Sequence, residues 1–391
     1  MNGARRKKRN KWSHALLGFR AHRCKIEILF YLMVAKPKTW LVLPLLLLAS
    51  SCMQHCVHGK PQVPCLFIFG DSLSDAGNNN NLQTLAKTNY KPYGMNFPGG
   101  PTGRFTNGRT TIDIIGQLLG FRNFIPPFAN TGSSNILEGV NYASGSAGIR
   151  IESGTHLGAD ISLGLQLANH GVTFSKLEKG FGGSDETKEY LKKCLYYVNI
   201  GSNDYINNYF HPNLYATSRI YSPQEYAKIL INQLSLSLQS MHDLGARKFV
   251  LVGLGQIGCS PNAMSRYGTK GSCVEEMNAA ASIFNDKLKA LVDQYNNNFV
   301  DSKFIFINVT AGGNAPTPGL KVFNAPCCPT REDGQCVPNQ TPCQNGHEHV
   351  FWDQFHTTEA ANLNVAMTSY NSSNSPAFTY PMDINHLVNS S

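Results

Sequence analysis

The chain has 391 residues, of which 42% are hydrophobic and 15% charged, so it is long and apolar enough to bury a large core. Its formal net charge is +9, but residues 1–38 hold eleven Lys or Arg and one Glu, a net charge of +10. Residues 39–391 therefore carry −1 (+9 minus +10), which excludes a strongly basic surface and gives no reason to expect nucleic acid as a partner.

The first candidate element is an apolar run, LVLPLLLLASSC, at residues 41–52. Its core, residues 41–49, is shorter than the ~20 residues that a membrane-spanning helix needs. It has the size of a signal-peptide core, with Lys36 and Lys38 before it and a plausible cleavage site at 57–59. We therefore predict a secreted protein without a stable membrane span.

Residues 1–32 are surplus to such a signal peptide, which would look ordinary if it began at Met33. This basic arm is either a long leader or second targeting signal, or the product of a start codon at Met1 that the cell does not use. We favour the unused start codon. In both cases we assign residues 1–59 to a basic N-terminal extension plus signal peptide, and residues 60–391 to a single folded domain.

Beyond residue 60, strand and helix patterns alternate. Short apolar runs are typical of strands buried on both faces, and we predict such strands at 65–69, 139–144, 194–201, 248–255 and 303–309. Helical patterns predict helices at 109–119, 160–178, 222–245, 275–297 and 358–370. The alternation predicts a parallel sheet with helices on both faces, a fold that binds ligands at the carboxyl ends of its strands.

Cysteine usage agrees with export. Eight cysteines lie beyond residue 60: Cys65, Cys194, Cys259, Cys273, Cys327, Cys328, Cys336 and Cys343. The last four could suggest zinc, but their spacing lacks the paired C-x2-C of a zinc ribbon, so we favour disulfides. Sequence does not fix the pairing; Cys259–Cys273 and two bridges within 327–343 are plausible. His347 and His349 have no third ligand nearby, and we predict no metal site.

Four N-x-S/T sequons also fit a secretory route, although such sequons are common by chance. They make candidate glycosylation sites of Asn308, Asn339, Asn371 and Asn389.

Ser72 follows the first predicted strand directly. A serine at this place usually caps a helix or ends a turn. Late in the chain, however, Asp353 and His356 lie three residues apart at the start of a predicted helix. A serine nucleophile needs a base to take its proton, and that base needs a carboxylate to orient it. The three residues together predict a Ser-His-Asp triad.

Two further segments could supply donors to an oxyanion. Gly201 ends the strand predicted at 194–201, Asn203 lies just after it, and Gly145 follows the strand predicted at 139–144. An asparagine amide can donate to an oxyanion, and a glycine lets a backbone N–H approach a substrate closely.

Taken in order, seven blocks resemble the plant GDSL esterase/lipase family of SGNH hydrolases, over essentially all of residues 63–391. The blocks are FGDSLSDAGNNN (69–80), PTGRFTNGRT (101–110), GVNYASGSAGI (139–149), YVNIGSNDYINNYF (197–210), LGARKFVLVGLGQIGC (244–259), CVEEMNAAASIFNDKL (273–288) and FWDQFHTTEAAN (351–362).

The resemblance implies a three-layer α/β/α sandwich with a flavodoxin-like five-stranded parallel sheet. It implies Ser72 as nucleophile, His356 as base and Asp353 as the residue that orients the base. The oxyanion hole would consist of the backbone N–H groups of Ser72 and Gly145 and the side chain of Asn203. Two departures stand outside these positions. Ser146 replaces a usual second glycine, and Thr357 replaces a common proline.

We therefore expect a secreted, extracellular esterase or lipase of the apoplast or cell wall, which hydrolyses lipid or acyl esters as a monomer without metal or cofactor. The turn at 70–74 lacks the last glycine of G-x-S-x-G, which argues against an α/β-hydrolase fold. One alternative is a catalytically inactive binding glycoprotein on the same fold. Another is acyl transfer to a sugar or polyol, which would use the same residues.

Overall fold

A six-stranded sheet organises the structure, a computed structural model that describes residues 59–132, 136–268, 271–311 and 319–390. Its strands lie in the order β2-β1-β3-β4-β5-β8, and a separate pair is formed by β6 and β7. The strands are β1 (Leu66–Gly70), β2 (Gly139–Asn141), β3 (Leu195–Asn199), β4 (Lys248–Val252), β5 (Lys303–Ile307), β6 (Val322–Pro326), β7 (His349–Phe351) and β8 (Thr379–Tyr380). The first five pair in parallel, whereas β8 is antiparallel to β5.

Helices connect the strands. Those of six residues or more are α1 (Thr111–Leu118), α2 (Leu163–Phe181), α3 (Ser184–Leu191), α4 (Pro223–Asp243), α5 (Pro261–Arg266), α6 (Glu275–Asn298), α7 (Glu359–Tyr370) and α8 (Ile384–Asn389). Shorter helical segments occur at Ser202–Asp204, Thr217–Ile220, Tyr205–Tyr209, Asn78–Asn81, Phe128–Asn130, Ile136–Glu138, Thr155–Leu157, Ile257–Cys259, Gly346–Glu348 and Pro376–Phe378.

The central strands are apolar throughout because helices cover both of their faces. Phe67 and Phe69 of β1 point into one apolar cluster, together with residues of α2, α4 and α6. Leu66 and Ile68 point into the other, together with residues of α1, α7 and α8. Because side chains alternate along each strand, the sheet contributes to an apolar core on each of its two faces. The predicted three-layer α/β/α sandwich is therefore confirmed.

The strand order explains where a site should form. After β1, the chain adds β2 on one side of it and then β3 on the other, the order of a flavodoxin-like sheet. The connections leave β1 and β3 in opposite directions, which opens a crevice at their carboxyl ends. The predicted sheet of five parallel strands is therefore correct in order, and β8 extends it at one edge.

Helix starts follow from capping residues. Ser222 precedes α4, its hydroxyl accepts from the Glu225 N–H, and the Glu225 carboxylate accepts from the Ser222 N–H. This capping box, with Pro223 at the first helical position, satisfies N–H groups that the helix itself cannot. The five predicted helices are all present.

Four disulfides join the cysteines beyond residue 60. They are Cys65–Cys194, Cys259–Cys273, Cys327–Cys343 and Cys328–Cys336. Three are the bridges that the spacing made plausible. The remaining bridge, Cys65–Cys194, joins the residues just before β1 and β3. The first residues of these two strands, Leu66 and Leu195, are register partners.

Pro61–Ser391 form one compact unit. The predicted N-terminal extension and signal peptide, with the apolar core at 41–49 and Met33, lies outside the described residues except for Gly59. The domain boundary therefore stays a prediction. Within the described ranges, no helix combines the length and apolar character needed to cross a membrane.

Candidate active site

Ser72 lies in a tight turn at the carboxyl end of β1. The Asp71 N–H donates to the Asn199 carbonyl of β3, and the Asp71 carbonyl accepts from two N–H groups further along the turn, those of Ser74 and Asp75. Gly70 is needed here because a Cβ would lie 2.7 Å from the Asn199 oxygen. The turn therefore follows from close contact between two strands, and it brings the Ser72 side chain to the crevice.

His356 reaches Ser72 from 284 residues away. Its Nε2 lies 2.8 Å from the Ser72 Oγ, and its Nδ1 lies 2.7 Å from the Asp353 Oδ2. A carboxylate can only accept, so Nδ1 carries the hydrogen and Nε2 is free to accept from the hydroxyl. The structure thus brings the three predicted triad residues together in one hydrogen-bonded line.

Asp353 is fixed by its own turn. Its Oδ1 accepts from the Phe355 N–H at 2.8 Å and from the His356 N–H at 2.7 Å. The side chain is fully buried, which keeps water from competing for these bonds. Asp353 and His356 are therefore three residues apart because they belong to one local turn. In this turn the Asp353 carboxylate binds both the backbone N–H and the ring of His356.

The imidazole of His356 lies beside the aromatic rings of Phe105 and Phe355. The Phe105 ring centroid lies 4.8 Å from that of His356. Trp352 is buried beside the paired cysteines, and its backbone N–H donates to the His356 carbonyl at 2.7 Å. Ser72 and His356 are 9% and 8% exposed, so both residues are almost fully shielded from solvent.

The asparagine run after Ser72 holds the segment that follows β2. Asn78 Nδ2 donates to the carbonyls of Asn141 and Ala143 at 2.9 and 2.7 Å. Asn79 Nδ2 donates to the Gly145 carbonyl at 3.0 Å, while its Oδ1 accepts from the Ser144 hydroxyl. These side chains act as bridges between the two neighbouring strand ends.

The backbone N–H of Gly145, which was predicted to donate to an oxyanion, has a partner within the protein. Its N–H donates to the Asp75 Oδ2 at 3.0 Å, so this hydrogen is already used within the protein. A Cβ at this position would lie 2.5 Å from the Phe105 ring, which gives the glycine a packing reason. The hydrogen bond to Asp75 is at odds with the predicted role of Gly145 as an oxyanion donor.

The Asp75 carboxylate itself is buried and accepts from three N–H groups, those of Gly77, Asn78 and Gly145. Burial raises its pKa to about 6, and the three donors oppose that rise. With three donors directed at it, we take this carboxylate as ionised near neutral pH, which strengthens its hold on Gly145.

The other two predicted donors differ from Gly145. Within the described part of the chain, the Ser72 N–H makes no hydrogen bond. Asn203 Nδ2 donates to the Ala147 carbonyl at 3.0 Å, and its Oδ1 accepts from Asn207 at 2.7 Å. The amide is therefore oriented by two neighbours, and it retains a second hydrogen.

Two buried aspartates were not assigned chemistry from the sequence. Asp71 Oδ1 accepts from the Leu73 N–H, whereas its buried Oδ2 has no partner among the described residues, and burial raises its pKa to about 7. Asp204 accepts from the N–H groups of Ile149 and Arg150 and from the Ser153 hydroxyl. Asp204 is thus more than the turn residue that its position suggests.

Tyr93 was not predicted from the sequence to contact the triad. Its hydroxyl lies 2.6 Å from the Asp353 Oδ2, although the two residues are 260 positions apart. No local signal could have revealed this contact.

The four sequon asparagines differ in exposure. Asn339, Asn371 and Asn389 are exposed, and Asn308 is half-buried. Within the described residues, no group of three or more His, Cys, Asp or Glu side chains could hold a metal ion. His347 is exposed, but His349 is buried, with its Nδ1 3.3 Å from the Ala325 carbonyl.

A hydroxyl, an imidazole and a carboxylate aligned at the switch point of a doubly wound sheet are the arrangement of a serine hydrolase. Comparison with known proteins gives the family: the family model for GDSL-like lipases/acylhydrolases matches residues 66–368. The chain therefore belongs to the GDSL-like lipase/acylhydrolase family, which places it among the carboxylic ester hydrolases.

Similar curated proteins come from Arabidopsis thaliana. GDSL esterase/lipase At1g29670 is 48% identical over 361 residues, which cover 90% of this chain and 98% of that protein. GDSL esterase/lipase At4g18970 is 47% identical over 350 residues, covering 87% and 97%. GDSL esterase/lipase At1g29660 is 47% identical over 341 residues, covering 85% and 93%. The resemblance predicted from the sequence blocks is confirmed.

Proposed function

We propose that this protein is a secreted serine esterase or lipase that cleaves lipid or acyl esters through a Ser72-His356-Asp353 triad and an acyl-enzyme. One observation carries the proposal. The Ser72 Oγ, the two His356 nitrogens and the Asp353 carboxylate lie in one hydrogen-bonded line, with distances of 2.8 and 2.7 Å. This is the geometry in which an imidazole can take a hydroxyl proton.

In the first half-reaction, the Ser72 Oγ attacks the acyl carbonyl while His356 Nε2 takes its proton. Asp353 stabilises the imidazolium that forms. The tetrahedral intermediate then breaks its bond to the alcohol oxygen, which leaves with the proton from His356. In the second half, His356 takes a proton from water, the hydroxide attacks the acyl-enzyme, and Ser72 recovers its proton. These steps need neither a metal nor an organic cofactor.

The negative oxygen of the intermediate needs donors. We assign this role to the Ser72 N–H and to the second amide hydrogen of Asn203, which is already oriented by Ala147 and Asn207. Gly145 could contribute only by leaving Asp75. Loss of one such donor costs about 2.7–4 kcal/mol of transition-state stabilisation, or 10²–10³ in kcat.

Secretion to the extracellular space, the apoplast or cell wall, is the second part of the proposal. Four disulfides within a single chain are typical of proteins that fold in an oxidising compartment. Exposed sequon asparagines at 339, 371 and 389 are accessible for glycosylation. N-terminal sequencing of material secreted by plant cells tests this part, and a mature chain that still begins before residue 41 would contradict the signal peptide.

Ser72→Ala tests the chemistry. Hydrolysis of p-nitrophenyl esters by the purified, glycosylated protein should fall about 10³-fold or more, since no other group replaces the nucleophile. Ser74→Ala is the matched control, because its buried hydroxyl lies in the same turn and has no partner among the described residues. This control should keep wild-type turnover.

Retained turnover in folded Ser72→Ala would overturn the assignment. A fluorophosphonate probe adds a second measurement, because an activated serine is phosphonylated whereas the serine of a non-catalytic binding protein is not. Products formed with competing alcohols then separate hydrolysis from acyl transfer.

A further inference from the structure

Tyr93 occupies a buried position between the Asp353 turn and the disulfide-bonded segment 327–343. Its hydroxyl lies 2.6 Å from the Asp353 Oδ2 and 3.0 Å from the Cys336 backbone nitrogen. Both Tyr93 and Asp353 are fully buried. The tyrosine therefore links the orienting carboxylate of the proposed triad to a segment that has no other assigned role.

The direction of the two hydrogen bonds follows from chemistry. The Cys336 N–H can only donate, so the Tyr93 oxygen accepts from it. The single hydroxyl hydrogen is then left for the Asp353 Oδ2. Burial and the Asp353 carboxylate both raise the pKa of Tyr93 well above its usual value, so the hydroxyl keeps its hydrogen.

Both sides of this link are anchored. Cys336 is joined to Cys328 by a disulfide, and the Cys328 N–H donates to the Trp352 carbonyl at 2.9 Å, just before Asp353. The rings of Tyr90 and Tyr93 pack edge to face at 5.3 Å, and the Tyr90 hydroxyl donates to the Cys336 carbonyl at 2.9 Å. The hydroxyl of Tyr93 thus has little freedom to move.

Both oxygens of the Asp353 carboxylate accept hydrogen bonds. Oδ1 accepts from the N–H groups of Phe355 and His356, and Oδ2 accepts from the Tyr93 hydroxyl. The imidazole Nδ1 lies 2.7 Å from Oδ2 and 2.9 Å from Oδ1. Without the hydroxyl, Oδ2 would keep only the imidazole Nδ1, and the other hydrogen bonds to the carboxylate would all be on Oδ1.

We propose that Tyr93 is a positioning residue that orients Asp353, and through it His356, using the Cys328–Cys336 segment as its support. The inference rests on the proposed triad and goes beyond it. Orientation matters most when the imidazolium forms, so Tyr93 should affect kcat and not substrate binding.

Tyr93→Phe is the test, since it keeps the ring and removes one oxygen. With activity expressed per active site titrated by a fluorophosphonate, kcat for p-nitrophenyl esters should fall about 10- to 100-fold, with KM within about threefold of wild type. Tyr190→Phe removes a hydroxyl whose hydrogen bond, to the Leu137 carbonyl, involves neither the triad nor the segment 327–343. This matched control should keep wild-type kcat.

A double-mutant cycle shows whether the residue acts through Asp353. In an Asp353→Ala background, Tyr93→Phe should change kcat less than about twofold. A wild-type kcat for Tyr93→Phe would overturn the inference, and so would an equal loss in both backgrounds. The proposed triad fails separately, by retained activity of Ser72→Ala.

Discussion

Asn203 shows how a single side chain is prepared before substrate arrives. Its amide oxygen accepts from Asn207, and one amide hydrogen is given to the Ala147 carbonyl. The residue is almost fully buried, at 8% exposed. In the oxyanion-hole role that we propose for it, an amide held in this way would need no reorganisation when the oxyanion forms.

Asn203→Ala should therefore lower kcat for p-nitrophenyl esters about 10²- to 10³-fold and leave KM nearly unchanged, because the lost bond exists only in the transition state. Asn207→Ala removes the neighbour that orients the amide oxygen but leaves the donating nitrogen in place. Its loss should be at least tenfold smaller. Similar losses for both variants would show that Asn203 acts through the local fold.

At the scale of single residues, some contacts between side chains could be predicted from the sequence and others could not. The contacts of His356 with Ser72 and Asp353 were predictable, because a Ser-His-Asp triad would need these residue types and Asp353 and His356 lie within one turn. The Asp75 contact with Gly145 and the Tyr93 contact with Asp353 join residues 70 and 260 positions apart. Such contacts are set by the packing of the whole domain, so no local pattern contains them.

Among the helices, α4 depends on its first turn. Ser222 and Glu225 bind each other's backbone N–H groups, and both side chains are exposed. The apolar stripe of the helix, which includes Tyr226, Leu230 and Leu234, is buried against the core. Capping here fixes the start of the helix, and the stripe fixes its orientation.

Ser222→Ala should lower the free energy of unfolding by about 1 kcal/mol, because one helical N–H loses its acceptor. Urea denaturation of the disulfide-intact protein measures this change. Ser240→Ala is the control on the same helix, since its hydroxyl donates only to the Leu236 carbonyl one turn earlier. Stability there should be unchanged or slightly higher. An equal loss for the two variants would contradict the capping role.

The elements that escaped prediction are short, polar or held by distant partners. β8 has two residues and forms only against Phe306 and Ile307 of β5. β6 is half-exposed and pairs irregularly with β7. Helix α3 is largely polar, and its apolar contribution to the core comes from Leu191. Each of these depends on tertiary contact, whereas the long helices and central strands carry their own periodic signal.

For the molecule as a whole, one buried base links folding to pH. His170 is fully buried among the rings of Phe67, Phe69, Tyr142 and Tyr196. Its Nδ1 lies 3.1 Å from the Tyr142 hydroxyl, and its Nε2 has no partner within the described residues. Burial lowers its pKa from 6.5 to about 3, so the fold accommodates only the neutral ring.

Because the pKa of His170 is lowered on folding, the unfolded chain binds the extra proton between pH ~6.5 and ~3. Stability should fall as pH decreases through this window, by up to about 1.4 kcal/mol per pH unit from this residue. Buried carboxylates act in the opposite sense. The pKa of Asp71 is raised to about 7, so its contribution is present below about pH 4 and is lost as pH rises towards 7.

Comparison of variants isolates the histidine from the carboxylates. Urea unfolding of wild type and His170→Gln between pH 4 and 6 should give a less positive slope of stability against pH in the variant. His347→Gln replaces an exposed histidine and should leave the slope at its wild-type value. Equal slopes for wild type and His170→Gln would exclude this account of the buried ring.

The edge strand β8 and helix α8 come from residues 379–389, far along the chain from β5. Thr379 and Tyr380 cover the open side of β5, and Ile384, Leu387 and Val388 fill the adjacent core. During synthesis, this edge must stay unpaired until residues 379 and 380 have emerged from the ribosome. Unpaired sheet edges are templates for association with other chains. We therefore expect nascent chains that stop short of residue 379 to need chaperones.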